Sequence, residues 1–109
     1  MLIFWLKVLR KFWQMIKGIT ENEEKIIKEI LSKFPYDFYY YGSRVKGDFT
    51  RASDLDILLM SVGEVLQSDI EKIESEFNES KIPYRVNISR RDRMEDYFFK
   101  LIEADLVKV

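Results

Sequence analysis

Cysteine and histidine are both missing from the 109 residues of this chain, and the two absences remove whole classes of chemistry. Without cysteine there is no disulfide, no thiolate nucleophile and no thiolate zinc site, a composition that fits a cytoplasmic protein in a reducing compartment. Without histidine there is no Ser-His-Asp or Cys-His relay. Carboxylates are then the strong metal ligands that remain, which favours hard cations such as Mg²⁺ over zinc or copper. An excess of charge of one sign is lacking too: 18 Lys and Arg face 19 Asp and Glu. No global field therefore favours long nucleic acid or an anionic membrane. No stretch reaches the roughly 20 apolar residues that a spanning helix requires, and internal repeats and low-complexity linkers are absent.

What is present suffices for one core. Apolar residues make up 47% of the chain and aromatics 15%, enough for a single domain of this length. Residues 1–17 carry four cations and no acid, with Trp5, Leu9, Phe12, Trp13 and Ile16 at helical spacing and Lys7, Arg10, Gln14 and Lys17 set apart from them. An amphipathic helix is expected here. It lacks the order of a signal peptide, which places charge before the apolar run and ends in small residues. Its apolar face suits packing on its own domain or on a second subunit, with membrane-surface contact as the lesser alternative. The expected division is an extension over 1–18 and a domain over 19–109.

Within that domain, Thr20 to Glu23 forms a Thr-x-x-Glu capping box ahead of the stripe Ile26, Ile27, Ile30, Leu31 and Phe34, predicting a helix over about 21–34 that stops at Pro35. Phe38-Tyr39-Tyr40-Tyr41 reads as a short strand with both faces covered, its tyrosines core rather than a platform for a base. Asp54 to Met60 is a strand that turns wholly apolar beyond Asp56, as a central strand does. Leu66, Ile70, Ile73 and Phe77 predict a helix over 65–77, Tyr84 to Ser89 a further strand, and Met94 to Leu106 a closing helix with Tyr97, Phe98, Leu101, Ile102 and Leu106 inward. The outcome is an α/β domain of two or three layers around a small sheet.

The chemistry concentrates between the first two strands. Gly42-Ser43-Arg44-Val45-Lys46-Gly47 is followed six residues on by Ser53-Asp54-Leu55-Asp56. Six fixed identities at this spacing arise by chance on the order of 10⁻⁷ per starting position at ordinary residue frequencies. Asp54 and Asp56 share one face of a strand, so their carboxylates can converge on a divalent cation. Two unpaired acids side by side repel each other, which a cation relieves. Gly42 lets the backbone turn tightly with no Cβ to obstruct a phosphate, and Ser43 adds a hydroxyl at the start of a short helix. Arg44 and Lys46 bring positive charge for a triphosphate or a departing pyrophosphate. Either half alone is commonplace, a turn or a solvated strand end; the pairing is what points to nucleotide and metal.

Gly42, Ser43, Gly47, Ser53, Asp54 and Asp56 together resemble the signature of the minimal nucleotidyltransferases of the DNA polymerase β superfamily, Gly-Ser-x-x-x-Gly followed by Ser-Asp-x-Asp. The resemblance covers about residues 19–109. It implies a small mixed sheet of the polymerase β palm type flanked by helices, with the amphipathic segment as an addition. It also implies that Gly42 and Ser43, with Arg44, Lys46 and Ser53 around them, bind a nucleoside triphosphate, and that Asp54 and Asp56 hold Mg²⁺. A third acid on the late strand completes the family's site. Alignment of the Pro-Tyr-x-Val lead-in puts Asn87 at that position, and an amide coordinates weakly and adds no charge.

The activity implied is transfer of a nucleoside monophosphate, foremost AMP from ATP, to a hydroxyl. Members of this size are paired with a small helical protein, often of the HEPN ribonuclease-toxin type, and act as its antitoxin by adenylylating it. Self-association is the other role expected of the first helix. The alternative is a binding module that keeps the fold, has lost turnover with its third acid, and neutralises its partner by occlusion.

Overall fold

A computed structural model describes residues 18–109, so the amphipathic segment expected at 1–17 lies outside the described residues. The described chain forms α1 (Glu21–Leu31), β1 (Asp37–Tyr41), a single helical turn α2 (Ser43–Lys46), β2 (Leu55–Met60), α3 (Gln67–Glu79), β3 (Val86–Arg90), α4 (Asp96–Ile102) and β4 (Val107–Lys108). Turns of 3₁₀ helix occupy Arg91–Arg93 and Glu103–Asp105. The strands make one mixed sheet in the order β3-β2-β1-β4. The hairpin partners β1 and β2 run antiparallel, β2 and β3 run parallel with α3 as their crossover, and β4 is antiparallel to β1.

Alternation along the central strands divides the core in two. Leu55, Ile57 and Leu59 of β2 and Phe38 and Tyr40 of β1 share one cluster with Ile27, Ile30 and Leu31 of α1 and Ile70, Ile73 and Phe77 of α3. Leu58 and Tyr41 belong to a smaller cluster with Ile102, flanked by Tyr39, Met60, Met94, Phe99 and Leu106. The sheet therefore carries helices on both faces, as the apolar run of β2 anticipates, and the tyrosines of β1 are packed side chains.

The capping box forms as expected. Thr20 Oγ1 accepts from the Glu23 amide at 3.1 Å and Glu23 Oε1 accepts from the Thr20 amide at 3.1 Å. Thr20→Ala should lower stability by about 1 kcal/mol, the usual value of an N-cap hydroxyl. Urea melts at unchanged m-value would read it.

Several element ends differ from the sequence reading. Helix α1 stops at Leu31 instead of 34: the amides of Lys33 and Phe34 bond back three residues, to Ile30 and Leu31. That tightens the chain into a turn before Pro35, whose ring disfavours helical geometry in the preceding residue. Helix α3 begins two residues later than expected because Leu66 is extended, and β3 spans 86–90 where 84–89 was expected.

The largest difference is at the C-terminus. The expected helix over 94–106 is α4 over 96–102, followed by a 3₁₀ turn and β4, an element that periodicity did not suggest. Tyr97 and Leu101, expected inward, are 69% and 67% exposed, and Phe98 is exposed as well. Ile102 and Leu106 pack inward as expected, and Met94 and Phe99 join them in place of the other three. A two-turn helix reading Asp-Tyr-Phe-Phe-Lys-Leu-Ile is apolar on most of its circumference, so spacing alone does not select its buried face.

Candidate active site

The glycine spacing of the first motif follows from backbone geometry. Gly42 caps α2 at φ 85°, a region that residues with a Cβ rarely adopt, and its carbonyl accepts from the Val45 and Lys46 amides, each at 3.1 Å. Gly47 closes the turn in the left-handed conformation at φ 91°, its amide donating to the Ser43 carbonyl at 3.0 Å. One turn of helix held between two positive-φ residues accounts for Gly-Ser-x-x-x-Gly. Strand β1 delivers Gly42 to the sheet end at which β2 begins, because Tyr41 pairs with Asp56 across the hairpin.

That pairing brings the two motifs into contact. A Cβ at Gly42 would lie 2.4 Å from Asp56 Oδ2, inside any tolerable contact. The turn thus rests directly on the carboxylate. Gly42→Ala should cost about 1–3 kcal/mol from the backbone conformation alone and displace Asp56 besides, so we expect a lower melting temperature.

On the far side of Asp56, the parallel register sets Asn87 opposite it. Asn87 Nδ2 donates to Asp54 Oδ2 at 3.1 Å and to Asp56 Oδ1 at 3.3 Å. The two carboxylates converge on one nitrogen atom, and an amide occupies the vertex between them. Asp54 is exposed, immediately before β2, whereas Asp56 is half-buried. Burial lifts the Asp56 carboxyl above the usual aspartate value, the Asn87 hydrogen bond pulls it back, and the Asp54 charge adds to the rise. Among the described residues there is no cluster of three or more acid, histidine or cysteine side chains suited to a metal ion. Beside this pair, the Tyr41 hydroxyl and Ser89 Oγ share a hydrogen bond of 2.9 Å, a contact between β1 and β3 that the sequence reading did not anticipate.

The remaining motif residues separate into two groups. Ser43 is half-buried at the start of α2, and Lys46 is exposed with its Nζ 3.8 Å from Asp105 Oδ2. Both stand by the turn. Ser53 Oγ accepts from the Thr50 amide at 2.8 Å, which shapes the loop leading to Asp54. Arg44 departs from the expectation that it faces phosphate. It is 2% exposed, and its guanidinium donates to main-chain carbonyls inside the fold. Of the two cations in the motif, Lys46 alone is open to solvent.

A family model described as a nucleotidyltransferase domain matches residues 23–109. A curated relative from Haemophilus influenzae, named probable protein adenylyltransferase MntA, is 33% identical over 72 residues, covering 64% of this chain and 63% of the relative. The match thus spans less than two thirds of that protein's length. A solved structure described as a putative nucleotidyltransferase from Sulfolobus solfataricus aligns over 92% of this chain and 79% of its own at 23% identity, with a TM-score of 0.46. No helix among the described residues is long and apolar enough to cross a membrane.

Proposed function

The chain belongs to the nucleotidyltransferase domain family, and from that premise we propose that it transfers a nucleoside monophosphate, AMP from ATP, to a hydroxyl on a small helical partner of the HEPN type, acting as its antitoxin. The observation that carries the reading is the contact between the Gly42 backbone and the Asp56 carboxylate. A phosphate seated on the turn would lie beside the acids that neutralise it through a cation. In the reaction the acceptor oxygen attacks the α-phosphorus, the bond to the β-phosphate bridge breaks, pyrophosphate departs and the hydroxyl proton passes to solvent.

The donor set fits Mg²⁺: two convergent carboxylates, an amide whose oxygen can be presented by rotation of its side chain, and no soft ligand in the chain. Asp54 and Asp56 would hold the ion. When bound, it supplies charge to the phosphoryl oxygens and lowers the pKa of the attacking hydroxyl. The protein's own contribution is positioning: the turn offers close backbone approach, Ser43 a hydroxyl, and Lys46 an exposed cation for the outer phosphates.

The test is label transfer from α-³²P-ATP to the purified partner in Mg²⁺. Label on the partner that disappears with Asp54→Asn supports the reading. No transfer by the protein or by its Asn87→Asp variant would overturn it.

A second reading, occlusion without turnover, is favoured by one observation: the Asn87 amide already bridges the acids and leaves the site one negative charge short of the family pattern. Partner binding indifferent to ATP and Mg²⁺ in calorimetry would support that reading instead.

A further inference from the structure

Arg44 carries a charge into the interior, and its acceptors are distributed in a telling way. Nε and Nη2 both donate to the Ser53 carbonyl, at 3.1 and 2.9 Å; Nη2 also donates to Arg51 at 3.1 Å, and Nη1 to Gly18 at 2.8 Å. The guanidinium carbon lies 3.8 Å from the centroid of the Tyr84 ring and 5.5 Å from that of Phe49. Among the described residues its hydrogen-bond acceptors are all main-chain oxygens. A buried cation balanced by carbonyl dipoles and ring faces is costly to desolvate. An apolar side chain of similar volume would fill the space without that penalty, so the retained charge calls for a different reason.

The three segments gripped by this group suggest one. Arg44 itself belongs to α2, the turn that follows Gly42 and Ser43. Ser53 directly precedes Asp54, and Tyr84 begins the lead-in to β3, which carries Asn87. Each part of the site therefore has a near neighbour in sequence fastened to one rigid, planar fork.

We propose that Arg44 is the positioning residue of this site: it fixes the separation of the phosphate-side turn, the acidic pair and Asn87, and it does not itself touch nucleotide. The proposal rests on the functional reading above. The five donors of a guanidinium, set in fixed directions, can hold several carbonyls at once, which a lysine ammonium on a flexible stem does not reproduce. Charge is thus insufficient for the role, and shape is required.

The experiment measures Mn²⁺ affinity by electron paramagnetic resonance in nucleotide-free protein, alongside binding of the non-hydrolysable analogue AMPCPP. Arg44→Lys and Arg44→Met should each weaken Mn²⁺ about 10-fold, the low end of the loss seen when groups behind metal ligands are removed, with circular dichroism unchanged. Lys46→Met should leave Mn²⁺ affinity unchanged and weaken AMPCPP.

Folded Arg44→Met with unchanged Mn²⁺ affinity and weakened AMPCPP would overturn the proposal and restore the phosphate-ligand role. Should neither Arg44 variant fold, ¹⁵N spectra of the unaltered protein decide the matter. A slowly exchanging Arg44 Nε–H that keeps its shift on AMPCPP addition supports positioning, and a large shift with fast exchange overturns it. Absence of Mn²⁺ binding by the unaltered protein would instead count against the functional reading, which the spectra of Arg44 do not address.

Discussion

Replacing Asp56 by Asn is expected to lower nucleotidyl transfer at least about 100-fold while raising the melting temperature at neutral pH. The activity loss follows from removing one of two anionic oxygen donors, since disturbing even the groups behind metal ligands costs about 10- to 100-fold. The stability gain follows from linkage. Because the folded-state pKa of Asp56 is raised, chiefly by burial and further by Asp54, the folded chain binds the proton more tightly than the unfolded one. Its favourable contribution is complete below the unfolded value of 3.8 and is lost as pH rises through the folded pKa. Neutral solution is therefore where the ionised pair strains the fold most, and where the neutral amide relieves it. The difference in melting temperature between variant and parent should widen as pH increases through that window. A variant that loses activity and stability together would place Asp56 in a structural role.

Asn87→Asp works in the opposite sense and should raise Mg²⁺ affinity and transfer about 10- to 100-fold. The substitution supplies a third carboxylate at the vertex on which Asp54 and Asp56 converge. In metal-free protein it also removes two amide hydrogen bonds to carboxylates, at 3.1 and 3.3 Å, and puts three like charges together. A loss of about 1–3 kcal/mol is expected there, moderated by the exposure of Asp54. Melting curves with and without Mg²⁺ should consequently diverge more in the variant than in the parent, because a ligand stabilises by its affinity for the folded state. If transfer appears only after this substitution, the occlusion reading describes the protein as it stands. If the parent already transfers, the amide is sufficient and Asn87 tunes the rate.

Local physics made the Gly-Ser and Asp-x-Asp motifs legible. Two glycines flanking a four-residue helical turn, and two aspartates two positions apart at a strand start, are each dictated within a few bonds. Sequence patterns record such constraints directly. Alternation in β1 and β2 was equally readable because both faces are covered, as the packed tyrosines attest. Arg44 illustrates what escapes such reading. A chain of letters gives the sign of its charge, whereas its direction depends on carbonyls contributed by residue 18 and residues 51–53 once the fold has closed. The same holds for β4, two residues long and defined by pairing with Tyr39 and Tyr40, and for α4, whose buried face is chosen by the sheet beneath it.

The parallel pairing of Asp56 with Asn87 also bears on how this lineage can drift. Changes of length in the loops at 61–66 and 80–83 keep this pairing provided β3 docks in the same register. A slip of one position would put Val86 or Ile88 against the acid and turn the amide to the opposite face of the sheet. Insertions in the loops around α3 are thus filtered by strand alignment, whereas the identity of residue 87 is open to a single-codon exchange between amide and acid. An exchange between amide and acid beside Asp56 is, on this scaffold, a short evolutionary step that leaves the strand pairing untouched.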